Sequence, residues 1–106
     1  MTDSLISHAD HKNIAVEDQF HLAKRYHALL EDRVAAFKKK IGDNEVGACV
    51  PGLGEYGLFY LDELHHADPS LIAICGTTVE GEPIEIIQEV SHINIVLKVL
   101  PERHFR

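Results

Sequence analysis

No run of about 18 apolar residues occurs anywhere in the 106-residue chain, so a membrane-spanning helix is not expected. The opening Met1-Thr2-Asp3-Ser4-Leu5 has neither the basic region nor the apolar core of a secretory signal. Cysteine is scarce: Cys49 and Cys75 allow at most one bridge, and both stand in apolar, strand-like runs. Buried free thiols in a reducing cytoplasm are therefore expected, rather than a disulfide-stapled scaffold. Positive charge is also short, with 10 Lys and Arg against 17 Asp and Glu and a formal net charge of −7. A surface of that sign does not displace counterions from phosphates. Direct nucleic-acid binding is thereby disfavoured, and basic protein partners are favoured.

What is present fits one soluble domain, with 45% hydrophobic and 25% charged residues. Residues 1–12 are polar and irregular and read as a flexible tail, followed by a single α+β domain over 13–106. Eight histidines make solubility and association sensitive to pH.

The clearest pattern is an apolar stripe. Val16, Phe20, Ala23, His27, Leu30, Val34, Phe37 and Ile41 recur at alternating spacings of four and three, the period of a helix laying one seam against a neighbour. Asn13 suits an N-cap, Lys38 to Lys40 suit the last turn, and Gly42 suits the stop, which predicts a helix over about 14–41. Leu22, Tyr26, Leu29 and Ala36 widen the apolar sector beyond a coiled-coil seam. One flank is expected on the domain's own sheet and the other on a second copy of the chain. A helix about 40 Å long would also overhang strands of about 20 Å. His27 within the seam has Glu31 one turn on as a local partner. The sharper alternative is that it sets register between paired helices, or loosens them when protonated.

After Gly42 the period changes to two. Strands are predicted at Glu45–Leu53, Tyr56–Asp62, Leu71–Thr77 and Pro83–Gln88, with a polar loop over His65–Pro69. The third is apolar on both faces and so central, while Pro83 suits a strand start or an edge. Residues 92–100 fit either a strand or a helix. Ser91 as N-cap, a Val90–Ile95 staple and Pro101 as terminator favour the helix. The predicted architecture is thus α+β: a long N-terminal helix, a four-stranded antiparallel meander and a short C-terminal helix, both helices on one sheet face.

Gly52-Leu53-Gly54-Glu55-Tyr56-Gly57 matches G-x-G-x-x-G, but a strand follows where a dinucleotide site needs a helix. No Val-Ala-Ile-Lys or His-Arg-Asp element completes a kinase-like site, so a hairpin turn is the expectation. In Asp62-Glu63-Leu64-His65-His66-Ala67-Asp68, the side chains of His65, His66 and Asp68 are candidate ligands for zinc, manganese or iron. Adjacent residues in a strand or loop point apart, so such a site needs further ligands, with His8 and His11 as the available ones. The plainer reading is a solvated loop with a turn at Asp68-Pro69. No Ser or Cys has a recognisable base partner, and neither a catalytic residue nor a cofactor is predicted.

Asp68-Pro69-Ser70-Leu71-Ile72, then Gly76, Gly81-Glu82-Pro83-Ile84, Ile87-Gln88, Val90-Ser91 and Asn94 resemble a family of small uncharacterised bacterial and phage-associated proteins. That family shares a D-x-P-x-L-I…G-x-P-[VI]-x-L-I-Q-x-V-S segment after an N-terminal helix. The resemblance covers about residues 44–97 and implies no established activity. Glu89 stands here where the pattern has a histidine.

Together these readings predict a non-enzymatic, cytoplasmic protein that forms a homodimer through the stripe Val16, Phe20, Ala23, His27, Leu30, Val34, Phe37 and Ile41 and acts by binding another protein. One alternative is an acidic phage or mobile-element inhibitor, anti-CRISPR-like, occupying a basic nucleic-acid-binding surface of a host protein. A second is a metal-dependent enzyme or sensor using His65, His66 and Asp68.

Overall fold

A computed structural model of the chain describes residues 20–52 and 57–103. Helix α1 spans Leu22–Ile41. Strands β1 (Glu45–Cys49), β2 (Leu58–Ala67), β3 (Leu71–Thr78), β4 (Pro83–Glu89) and β5 (Val96–Leu100) follow, with one 3-10 turn at Val90–His92 before β5. The strands form one antiparallel sheet in the order β4-β3-β2-β1-β5. The class is α+β, as expected.

The helix ends where its chemistry directs. Gly42 takes φ 63, a region a side chain would strain. The Lys38 ammonium donates to the carbonyls of Gly42 and Asn44, and the Asn44 amide donates to the carbonyl of Ile41. The start is held from across the molecule. Ala23 N–H donates to the Pro69 carbonyl at 2.9 Å and Lys24 N–H to the Asp68 carboxylate at 3.3 Å. Free helix N–H groups are thus satisfied by the β2–β3 turn rather than by a preceding cap residue. The expected N-cap, Asn13, lies outside the described residues, as does Val16.

Strand parity builds the core. Val46, Ala48 and Val50, Phe59 and Leu64, and Ile72 and Ile74 are buried beneath α1, with Leu30 and Val34 packed onto them. Beyond Leu61 the β2–β3 register shifts, so that Glu63 pairs with Cys75 and Leu64 with Ile74. Asp62 is the extra residue of this bulge. Pro83 opens the edge strand β4, where its missing N–H costs no ladder bond.

Two expectations are corrected. The predicted C-terminal helix over 92–100 is instead the tail of a 3-10 turn, an extended link and strand β5, so the sheet has five strands and α1 is the single α-helix among the described residues. Pairing decides this. A short helix is marginal by itself, whereas Val96–Leu100 satisfies the free edge of β1 along five register partners and suits β-branched residues. Ser91 and Pro101 are therefore not helix signals here. Second, β2 runs through the segment expected as a loop, reaching Ala67. Of the helix expected over about 14–41, α1 covers Leu22–Ile41, about 30 Å at about 1.5 Å per residue, and residues 14–19 lie outside the described residues.

Gly76 shows how tight the β2–β3 core is. A Cβ there would press on the Tyr60 carbonyl oxygen and the Phe59 ring, neither of which can swing away. Gly76→Ala should lower unfolding free energy by about 2 kcal/mol, as overpacked cores do, seen as a reduced urea midpoint. An unchanged midpoint would show that the two strands can separate freely at this point.

Candidate functional site

The polar residues gather in two places. The first is the junction of α1, the end of β2 and the turn after it. The β2 bulge turns Leu64 and His66 toward the helix and leaves Glu63 and His65 on the opposite face. His66 Nδ1 meets His27 Nδ1 at 2.6 Å, with ring centroids 4.8 Å apart and planes inclined at 55°. His27 Nε2 lies 3.1 Å from the Glu31 carboxylate, the local pair its spacing on the helix predicts. Asp68, one residue beyond β2, pairs with His21 Nδ1 at 2.7 Å and accepts the Lys24 N–H. The His21 hydrogen bond is the largest influence holding the Asp68 carboxyl below its ordinary range, and the Lys24 N–H adds to it.

The expected metal ligands are therefore placed apart. His65 bonds the Glu63 carboxylate at 2.7 Å on the open face, His66 bonds His27 under the helix, and Asp68 is taken by His21. Among the described residues no group of three or more His, Cys, Asp or Glu is arranged to hold a metal. His8 and His11 lie outside the described residues. The cysteines are free and half-buried, not fully buried as expected. Burial pushes the Cys75 thiol up, and the Glu85 and Glu63 carboxylates add to the effect, a setting that suppresses the thiolate. Gly52 has φ 98, as a turn requires, while residues 53–56 of the glycine motif are outside the described residues.

The second cluster lies on the opposite sheet face, where the chain leaving β5 folds back. The Arg103 guanidinium reaches Glu45 at 2.7 Å and Asp62 at 2.9 Å, and stands 4.3 Å from the centre of the Tyr60 ring. The Arg103 N–H also donates to Glu45, the Tyr60 hydroxyl donates to the Pro101 carbonyl, and Thr77 donates to Asp62. With Leu100 lying over Gly47, this clasp covers the β1–β2 half of an otherwise open face. Neither it nor the histidine junction was visible as a motif, because each joins residues far apart in sequence. The one available signal was the three-residue step from Leu61 to Leu64, which marks the bulge.

The expected interface stripe is mostly used internally. Ala23 is buried, His27, Leu30, Val34, Phe37 and Ile41 are half-buried, and Leu30 and Val34 pack on the core. Phe20, also of the stripe, is 61% accessible, and on the flank beside the stripe Leu29 is 54% and Tyr26 36% accessible. Between α1 and the link into β5 lies a cleft of about 190 Å³, lined by apolar side chains from Leu30, Val34, Leu61, Leu64, Ile95 and Leu97 with Arg33 as the one charged residue. That is smaller than most small-molecule sites, which run to roughly 300–1,000 Å³. No helix among the described residues is long and apolar enough to cross a membrane.

Comparison with protein-family models, curated proteins and solved structures gives no match.

The Arg103 hydrogen bond is the main cause that lowers the Glu45 carboxyl below its ordinary range. A depressed folded-state pKa adds stability above the unfolded value, and that stability is lost as pH falls through the folded one. Arg103→Met should cost about 1 kcal/mol near neutral pH, a modest figure for a partly exposed network. It should also flatten the loss of stability on acidification below Glu45's ordinary range. Urea melts at stepped pH measure both, and parallel wild-type and variant curves would show that the clasp contributes nothing.

Proposed function

We propose that this is a non-enzymatic, self-associating protein that acts by binding another protein, with the outer flank of α1 as the contact between copies. The observation that carries the reading is the exposure of Tyr26 and Leu29 one turn apart on a helix whose inner seam is already spent on its own sheet. Single exposed apolar residues are ordinary, but two large ones adjacent on one side of a helix offer a ridge of the kind helices pack against each other. Contact through the flank would extend that packing without disturbing the core.

The remaining features agree with a binding role. The suppressed Cys75 thiolate is a poor nucleophile. A net charge of −7 favours a basic partner. Two free thiols favour a reducing compartment, which points to the cytoplasm.

Size-exclusion chromatography with light scattering tests the contact. The wild type should run as a dimer, and Leu29→Glu and Tyr26→Glu should each weaken dimerisation about tenfold or more, as loss of a central contact does. Both sites are exposed, so the folded circular-dichroism spectrum should persist. A wild type that stays monomeric at high concentration would overturn self-association, and variants that dimerise normally would move the contact away from α1.

A further inference from the structure

Two imidazole nitrogens 2.6 Å apart must have one hydrogen between them. Two lone pairs at that distance repel, and two N–H groups collide. Glu31 decides which ring supplies the hydrogen. Its carboxylate can only accept, so His27 Nε2 at 3.1 Å carries a hydrogen. In the neutral ring His27 Nδ1 is then bare and accepts, which leaves His66 as the donor through Nδ1–H. That is not the usual form of a free imidazole, and the contact between α1 and β2 imposes it.

From this geometry we infer that His27 and His66 form a proton-sharing latch that keeps α1 seated on β2 through the first protonation and releases it at the second. The first proton enters at His66 Nε2, and the bridging hydrogen shifts from His66 Nδ1 to His27 Nδ1. His66 is then neutral with its hydrogen on Nε2. His27 is the imidazolium, donating to His66 through Nδ1 and to the Glu31 carboxylate through Nε2, a charge-assisted arrangement stronger than the neutral one. A second proton has only His66 Nδ1 to occupy, where it removes the acceptor and sets two cations face to face.

The surrounding groups fit this order. On α1, Lys24 lies one turn before His27 and Glu31 one turn after it. The turn after β2 supplies Asp68, already bonded to His21 and to the Lys24 N–H. The neighbours of His66 under the helix, Leu64 and Ile72, carry no charge. The 3-10 turn against α1 brings His92, paired with Glu89 at 3.8 Å. Glu31 is thus the anion bonded to His27, so the first charge settles on His27; Asp68, bonded to His21, acts on His66 only through space, and a second proton at His66 Nδ1 has no hydrogen-bond acceptor. The inference does not rest on self-association, because every group in it belongs to one chain.

Imidazole nitrogen NMR on the full ¹⁵N-labelled chain, from about pH 8.5 to about pH 4.5, tests the latch. At high pH His66 should carry its hydrogen on Nδ1, and the first protonation step should move it to Nε2. The two rings should titrate in separate steps belonging to the pair. Amide exchange at residues 23–30 should hold through the first step and quicken by about tenfold or more at the second. In His27→Gln, His66 should titrate in a single step. Glu31→Gln leaves a surface position folded and removes the tautomer lock, so the Nδ1–H form of His66 should lose its exclusivity. A His66 with its hydrogen on Nε2 at high pH would overturn the inference, as would a His66 titration unchanged by both substitutions.

Discussion

One helix has to close one face of a five-stranded sheet, and it is too narrow to do so alone. An α-helix with its side chains is about 10–12 Å across, while five strands about 4.8 Å apart span roughly 19 Å. The remaining width is filled by the link from β4 to β5. Val90, Ile93 and Ile95 pack against the core cluster, and the 3-10 turn at Val90–His92 lies against α1. Val90 N–H donates to the Ser70 carbonyl, so the link leaves β4 at the same turn region that anchors the helix start. A chain laid over the sheet from one edge arrives at the other, which is why β5 pairs with β1 and not with its sequence neighbour β4.

That arrival shapes the opposite face. Leu100 comes to lie on Gly47, where no side chain stands in its way, and the residues after it carry Arg103 over Tyr60. The clasp buries Tyr60 on a face that has no helix, and it joins Glu45 of β1, Asp62 of the β2 bulge and Thr77 of β3 through direct bonds. The β3–β4 half of that face stays bare, with Leu71 and Ile87 exposed. The molecule is therefore asymmetric in its cover: helix and link on one side, a short polar clasp on part of the other.

The parts legible in the sequence were those decided by local periodicity. The alternating three-and-four spacing from Ala23 to Ile41 located the buried side of α1, and Gly42 its end. The meander of β1 to β4 followed from runs of alternating residues with turns between them. His27 and Glu31 were legible because four residues on a helix make neighbours. What was not legible depended on a partner elsewhere in the chain. Val96–Leu100 has helix punctuation on both sides, and only the unpaired edge of β1 makes it a strand. The start of α1 is capped by Asp68 and Pro69, more than 40 residues away, so no adjacent residue announces it.

The histidine junction shows most clearly how a local detail sets a distant contact. Were β2 a regular strand, Phe59 and Leu61 would share their face with Glu63 and His65. Two charged or polar groups would then lie under the helix in place of Leu64 and His66. The hydrophobic residues forbid that arrangement: Leu64 completes the core with Phe59 and Ile74, and it can do so only if one residue is looped out after Leu61. Asp62 is the residue expelled, and it finds Arg103 and Thr77 on the other side. The bulge thus answers the demand for an apolar core, and its consequence four residues on is to swing His66 rather than His65 beneath α1. The contact with His27 and the clasp at Asp62 are two outcomes of a single inserted residue. Any change that removed the bulge would exchange both histidines between faces and take each polar cluster apart at once.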